Sequence, residues 1–563
     1  MKRNLQTLSQ EKFDILIVGG GIYGATLAWE AVLRGLSVAL IDKGDFASGT
    51  SSNSLKIIHG GLRYLQHADI IRMRESIRER RILMHIAPHL VHPLPCVMPT
   101  YGHAIKGPEV MRIALLMNDI ISLDRNHLQD PQKHLPAGRI LSKNELLQIV
   151  PFIDKNNLTG GAQWYDAHMT NSERLVLSFI KSAVERGVQA ANYVKAEQFI
   201  FEDGRIAGAQ VRDVLNDDVF PIRAKIVVNT AGPWINNLLG TLNGKYNGKK
   251  VPYSTAINLV VNRRLSRETA FGAPSRFEYK DKDALISRGS RLLFIVPWRN
   301  VSLIGTAHTP FNGDAEKYKV TEKEIEKFLH EVNSALIGAD IRREDVTFQY
   351  AGLLPLAGVH PESGDVQLEK HFRIYDHENE GIPGLVSVVS VKYTTARDVA
   401  EKAVKLLLNK LSQKAPRSHS DSIKIWGGEI EDYEKFISQE TSADAGGVGE
   451  KSLRHLLQNY GSGYKQVLQF AESAPSLKKT LSPNTPILKA EIAYGVEEEL
   501  AQKLSDVVLR RTELGTAWQP SRQELEVCAG LMAKPLGWSR LRIEKEIQEV
   551  EEIYRTTTMK SEK

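Results

Sequence analysis

The chain has 563 residues, 42% hydrophobic and 25% charged, with a formal net charge of +6. This composition excludes a disordered chain, and at roughly 100–200 residues per domain it allows two to four domains; the two cysteines, Cys96 and Cys528, read as free thiols of a reducing compartment. The charge is mild for this length, and no zinc finger, RNP motif or basic tract accompanies it, so it argues against nucleic acid and suits anionic cofactors, anionic substrates or an acidic lipid surface.

Met1 to Lys12 is polar and lacks the apolar run of a secretory signal. Residues 13–18 (FDILIV) predict a strand, Gly19 to Gly24 a turn, Ala25 to Arg34 a helix, and Leu36 to Asp42 a second strand, together a βαβ unit. Residues 69–90 predict a charged helix with Arg74, Arg78 and Arg81 on one face and Glu75 and Glu79 on another. A phosphate or lipid patch is one reading; a solvated face laced with ion pairs is the simpler one. The most apolar-leaning stretch, Val110 to Leu123, is broken by Arg112, Asn118 and Asp119, and with no run of ~18 apolar residues a cytoplasmic protein is expected.

Residues 170–187 predict an amphipathic helix ending at Gly187, residues 204–220 a hairpin region, and residues 224–230 a buried strand. Strand-like runs between 251 and 311, including Arg291–Pro297 and Val301–Thr306, predict a sheet-based substrate domain. Residues 384–391 (GLVSVVSV) predict another strand, with a helix starting at Thr394 or Thr395. The polar segment 412–424 (SQKAPRSHSDSIK) predicts a linker, and 430–560, including 487–511 and 540–555, carries helical periodicity.

The strongest motif is Gly19-x-Gly21-x-x-Gly24 between strand and helix. Gly19 permits the tight turn, Gly21 the approach of a pyrophosphate, and Gly24 close packing of helix on strand, while the helix-start N–H groups, with Ile22 and Tyr23, face phosphate oxygens. Asp42, about 20 residues on, can accept ribose hydroxyls and would repel the 2′-phosphate of NADP; Lys43 follows it. The next segment, 44–65, is small and polar. Ser48, Thr50, Ser51, Ser52 and Ser54 can contact a long extended cofactor and His59-Gly60-Gly61 can pass a flat ring, which favours FAD over NAD.

Residues 54–65 (SLKIIHGGLRYL) resemble the "SSKLIHGGLRYLE" stretch of FAD-dependent glycerol-3-phosphate dehydrogenases. Residues 228–234 (VNTAGPW), 296–306 (VPWRNVSLIGT), 390–397 (SVKYTTAR), Tyr460-Gly461-Ser462 and 510–515 (RRTELG) are also similar to that family, so the resemblance runs from about residue 13 to 555. It implies an α/β, Rossmann-like FAD-binding fold of the D-amino-acid-oxidase type with a mixed-sheet substrate cap and an all-helical C-terminal domain. The oxidoreductase region would span 13–412, with FAD-binding segments near 13–90, 160–250 and 350–410 and the cap at 91–159 and 251–349; the helical domain would span 425–555. The resemblance implies noncovalent FAD, oxidation of sn-glycerol 3-phosphate to dihydroxyacetone phosphate, electron transfer to a quinone or another acceptor, and contact with the inner face of the cell membrane. It implies no metal and leaves a homodimer open.

Such a reaction needs a base for the hydroxyl proton, cations for the phosphate, and stabilisation of charge on the reduced ring. His59 is the candidate base, its alternative being a hydrogen bond to the cofactor alone; Arg63 and Tyr64 are candidates for the phosphate. By the resemblance, Lys392 and Arg373 match active-site positions, and Val194, Thr230, Ala231, Gly232, Tyr393, Thr394 and Thr395 match cofactor contacts, the two threonines also being placed to cap a helix. The substrate half departs from the family. Leu354 stands where a "SGxRPL" turn has its phosphate-binding arginine, His308 replaces an aspartate, and Ala396 a tyrosine. Either a clamp is rebuilt from Arg63, Arg373, His308 or Arg299, or the substrate is a related polyol, hydroxy acid or amine. A flavoprotein scaffold or nucleic-acid modifier is a more distant alternative.

Overall fold

The computed structural model describes residues 1–103, 107–242, 244, 246, 248–278, 290–360, 366–442 and 447–558. The strand Lys12–Val18 lies at the centre of an eight-stranded sheet in the order Arg373–Asp376, Leu385–Val389, Val219–Asn229, Lys12–Val18, Val38–Ile41, Gln189–Ala191. The inner pairings are parallel and the Arg373–Asp376 edge is antiparallel. Residues 15–18 have both faces covered, as the unbroken apolar run requires. The helices Ile22–Leu33, Ser172–Glu185 and Ala396–Lys410 pack against one another and share one core with the sheet. Residues 204–220 form two successive hairpins rather than one, joining Val194–Glu202, Arg205–Asp213 and Val219–Asn229.

A second, ten-stranded sheet runs Val366–Leu368, Val346–Val359, Tyr253–Val261, Val301–Phe311, Ser290–Trp298, Ala270–Glu278, Val91–Tyr101, Leu158–Met169, Ile57–Ile58, with Arg139–Ser142 paired to Leu158–Met169. It is antiparallel except where Ala270 and Phe271 pair with Cys96 and Val97. The strand-like runs of 251–311 are thus a mixed sheet.

The remaining expectations fared unevenly, for physical reasons. A short helix, Leu5–Gln10, precedes the first strand, and the helix after the glycine turn starts at Ile22, three residues before the expected Ala25, with Gly21 as its N-cap. The charged helix is Ile70–Ile86, and its arginines form the part-exposed face laced with ion pairs that the simpler reading expected. Arg74 and Arg81 converge on Asp124, each at 2.6 Å, and Arg78 reaches Asp398. The helix expected to be amphipathic over 170–187 is Ser172–Glu185 and is buried on all sides, because the C-terminal helices cover its outer face through pairs such as Arg174–Glu499. The expected linker is not a loose tether. Ser418 donates to the buried Glu30 at 2.8 Å, and Ser420 accepts from Arg397 at 3.1 Å. The expected helix over 487–511 breaks after Lys489–Glu498 and resumes at Leu504–Asp506, continuing into a π-turn at Val507–Arg511. Arg522–Leu536 and Arg540–Thr558 complete the C-terminal helices. Both cysteines are buried free thiols.

The Ile70–Ile86 and Ala396–Lys410 helices are tied by a buried bidentate pair, Arg397 Nε to Glu79 Oε2 at 2.8 Å and Nη2 to Oε1 at 2.6 Å. Removing one partner of such a pair leaves an uncompensated buried charge and costs about 3–5 kcal/mol. Arg397→Ala should therefore lower the urea midpoint by that equivalent, and the double variant Arg397→Met/Glu79→Met should recover most of the loss.

Candidate active site

A cavity of about 2190 Å³ runs between the two sheets, from the glycine turn to the Ser290–Trp298 and Val301–Phe311 strands. That exceeds the roughly 300–1,000 Å³ that holds a drug-sized ligand and suits an extended dinucleotide plus a small substrate. At the turn, a Cβ on Gly24 would lie 1.9 Å from the Gly19 carbonyl oxygen, so only glycine lets the helix start this close to the strand. Thr230 Oγ donates to the same carbonyl at 2.9 Å. The helix start faces the cavity, and Ile22 N–H donates to Ser51 Oγ at 2.9 Å. Asp42 accepts from Gly20 N–H at 2.7 Å and Gly44 N–H at 2.9 Å. Burial raises its carboxyl to about 6 against those two donors, and ribose hydroxyls are the kind of further donor that would favour the charged form.

All the residues expected to hold the cofactor line this cavity except Gly24, Ser52, Gly60, Val194 and Thr395. Those five act from behind it. Ser52 accepts at its carbonyl from the buried Lys56, Gly60 N–H donates to Asp166, and Val194 N–H donates to the Asp42 carbonyl at 2.7 Å. Thr395 stands at the start of Ala396–Lys410, but its side chain makes no capping bond. Tyr23 OH donates to Ser390 Oγ at 2.7 Å and contacts the Lys392 carbonyl, joining the Ile22–Leu33 helix to the segment that carries Lys392.

His59, Tyr64 and Lys392 meet at one part of the cavity. The His59 and Tyr64 rings are 5.9 Å apart, edge to face, and the Lys392 ammonium and the Arg72 guanidinium each lie 4.2 Å from the Tyr64 ring centre. Burial, then the neighbouring Lys392 charge, lowers His59 to about 4, against the pull of Asp166. Burial and then Arg72 lower Lys392 to about 7. Near neutral pH the imidazole is therefore an unprotonated acceptor and the amine is close to its titration midpoint. Asp166, which no motif announced, receives Arg80 at 2.6 Å and Trp164 at 3.0 Å and so fixes the wall behind Gly60. Arg72 was concealed among the helix arginines, and Arg291, held by Glu331, had no signal beyond its strand.

Arg63, His308 and Leu354 line the cavity. His308 Nδ1–H donates to the Thr255 carbonyl at 3.1 Å, and burial lowers the imidazole to about 4. Two of the residues considered for a rebuilt clamp lie elsewhere. Arg373 is exposed on an edge strand and pairs with Glu369 at 2.8 Å. Arg299 binds Glu513 and Thr516 at 2.8 and 2.6 Å, in the contact with the C-terminal helices.

The glycine turn, the acid after the second strand and the long cavity are matched by the profile described as "FAD dependent oxidoreductase", over residues 14–387. The chain belongs to this family of FAD-dependent oxidoreductases. The profile of the C-terminal domain of alpha-glycerophosphate oxidase matches residues 418–543. A glycerol-3-phosphate dehydrogenase of Synechocystis sp. is 32% identical over 558 residues, covering 98% of each chain. The alpha-glycerophosphate oxidase of Streptococcus pneumoniae is 30% identical over 571 residues, covering 90% of each. The solved glycerol-3-phosphate dehydrogenase of Bacillus halodurans, complexed with FAD, superposes with a TM-score of 0.77 at 26% identity over 100% of this chain and 99% of that one. The fold is thus the D-amino-acid-oxidase type of α/β FAD-binding fold with a mixed-sheet cap and a helical C-terminal region, and FAD is the cofactor.

Gly24→Ala should force the Gly19 carbonyl away and open the turn. Visible flavin absorbance per mole of purified protein should fall by most of its value while far-UV circular dichroism stays that of the parent.

Proposed function

We propose that this enzyme oxidises sn-glycerol 3-phosphate to dihydroxyacetone phosphate. The observation that carries the reading is the cluster of an unprotonated His59, Lys392, Tyr64 and Arg63 on one cavity that also bears the dinucleotide turn; the similarity to relatives named for that substrate supports it. Bound FAD supplies the two-electron acceptor for the hydride leaving C2. His59 takes the proton of the C2 hydroxyl. Lys392, while protonated, sets a positive charge where alkoxide character develops, with its ammonium held over the Tyr64 ring. Arg63 offers its guanidinium fork to the phosphate, with Arg291 on the cap side as the further cation where Leu354 stands in place of an arginine.

Turnover with an artificial electron acceptor should be far faster for sn-glycerol 3-phosphate than for glycerol, 2-hydroxy acids or amino acids; preference for one of the latter would transfer the assignment to that class. His59→Ala should lower kcat by roughly 10²–10⁴, and Arg63→Ala should act mainly on KM, at a cost of about 2–5 kcal/mol. Because the base must be unprotonated and the lysine protonated, kcat/KM should rise through pH about 4 and fall above about 7; a limb near 6.5 that disappears in His59→Ala would contradict the burial argument.

The electron acceptor divides the relatives, which include dehydrogenases and an oxidase. A quinone dissolved in a bilayer is supported by the Pro108–Ile121 helix. Among the described residues no helix is long and apolar enough to cross a membrane. Yet Ile113, Leu116, Met117 and Ile120, spaced to share one helix face, are exposed, as are Leu123, Ile70 and Ile71 nearby in the chain or at the start of the adjoining helix. Val110, Met111 and Ala114 of the same helix line the cavity. An apolar face of this kind suits shallow insertion beside the cavity mouth. Ile113→Asp/Leu116→Asp/Ile120→Asp should abolish co-sedimentation with phospholipid vesicles and slow quinone reduction in them, leaving turnover with a soluble dye unchanged. Unaltered vesicle binding would remove this face from the account.

A further inference from the structure

The motif 510–515 (RRTELG) lies in the C-terminal helical region, and the chemistry above does not use it. Its two arginines are buried, and their partner is Asp45, three residues beyond the ribose-facing Asp42. Arg511 grips Asp45 as a fork, Nη1 to Oδ2 at 2.7 Å and Nη2 to Oδ1 at 2.8 Å, and Arg510 Nε adds a bond to Oδ2 at 2.5 Å. Asn192 donates to Oδ1 at 2.9 Å and, from the same nitrogen, to the Leu500 carbonyl at 2.7 Å. The carboxylate is thereby saturated, and three of its four bonds come from helices more than 450 residues away in sequence. Burial alone would raise Asp45; Arg511 and then Arg510 overcome it and hold the group at about 2.

The arginines are themselves fixed. Arg510 Nη2 donates to Asp506 at 2.6 Å, Asp506 accepts from Tyr193 OH at 2.7 Å, and Tyr193 N–H donates to the Gly44 carbonyl at 3.0 Å, closing a ring of contacts around the loop. Arg511 Nε donates to the Glu499 carbonyl at 2.9 Å, while Arg174 of the Ser172–Glu185 helix pairs with Glu499 and donates to the Arg511 carbonyl at 2.5 Å. The widened π-turn at Val507–Arg511 carries both guanidinium groups. The loop they grip is bonded to the glycine turn and lines the cavity: Ala47 N–H donates to the Gly20 carbonyl at 3.1 Å, and Ser51 receives Ile22 N–H at the helix start.

We propose that the C-terminal helical region is a clamp for FAD retention, in which Arg511 and Arg510 act as positioning residues that fix Asp45 and through it the 42–54 loop against the adenine-ribose and pyrophosphate half of the nucleotide. Neither arginine lines the cavity; each acts through the loop. The design differs from ordinary inter-domain packing, because the fork ends on the loop itself and not on the sheet or helices beneath it.

The test is FAD release from the purified holoprotein, followed as the rise of free-flavin fluorescence after dilution, beside the thermal midpoint of each variant. Arg511→Lys keeps the charge and loses the fork, Asp45→Asn keeps the shape and loses the charge, and Arg299→Lys weakens the same inter-domain contact at a point remote from Asp45. Release at least tenfold faster in Arg511→Lys and in Asp45→Asn, with Arg299→Lys within twofold of the parent, is the expected result. Parent-like release in both clamp variants, or equal acceleration in Arg299→Lys, would overturn the proposal. Should Arg511→Lys fail to accumulate, Arg510→Lys leaves the fork in place and is expected to show a smaller acceleration of the same kind; release unchanged in both Arg510→Lys and Asp45→Asn would equally overturn it.

Discussion

The carbonyl oxygen of Gly19 lies where a side chain at position 24 would have to be, and the placement of the Ile22–Leu33 helix on the first strand follows from that contact. With the helix so placed, Tyr23 reaches Ser390 and the Lys392 carbonyl, and Thr26 Oγ donates to the Ala396 carbonyl at 3.3 Å. A single close approach at the phosphate end is thus transmitted along one turn of helix to the segment holding Lys392. The turn and the SVKYTTAR segment are thereby held on one cavity although about 370 residues separate them.

Charge is used in two different ways. Around the cavity, cations outnumber the anions that could neutralise them, and burial moves His59 and Lys392 away from their ordinary ranges so that one is a neutral acceptor and the other titrates near pH 7. Elsewhere several buried charges are matched by a carboxylate: Arg397 with Glu79, Lys56 with Glu173 at 2.7 Å, Arg174 with Glu499, and the two arginines with Asp45 and Asp506. Pairs of this kind contribute little net stability over apolar packing. Their value here is register, since all but the Arg510–Asp506 pair, which is four residues apart, join segments that are distant in sequence and would otherwise slide on apolar surfaces.

The elements around the cofactor were legible because their physics is local. Three glycines, a following acid and an uninterrupted FDILIV run specify strand, turn and helix without reference to the rest of the chain. The Tyr253–Val261 strand and its neighbours were visible as apolar runs, but their order was not, since pairing Val91–Tyr101 with Ala270–Glu278 depends on contacts made across some 170 residues. Asp166 and Arg72 were not legible, because each becomes significant only through a partner from another element: the Gly60 N–H for one and the Tyr64 ring for the other. Arg373 and Arg299 show the converse. Each carried the right chemistry for a phosphate, yet neither lines the cavity, Arg373 being paired with Glu369 and Arg299 with Glu513. The polar 412–424 segment read as a linker because side-chain hydroxyls look alike whether they face water or, as Ser418 does, a buried glutamate.

The most direct test of the central claim is an anaerobic titration of the FAD-loaded protein with sn-glycerol 3-phosphate, followed in the visible flavin band. The account predicts bleaching with one equivalent of dihydroxyacetone phosphate formed per flavin, and no bleaching by glycerol at the same concentration. A flavin that stays oxidised with sn-glycerol 3-phosphate, yet is bleached by a hydroxy acid or an amine, would contradict it.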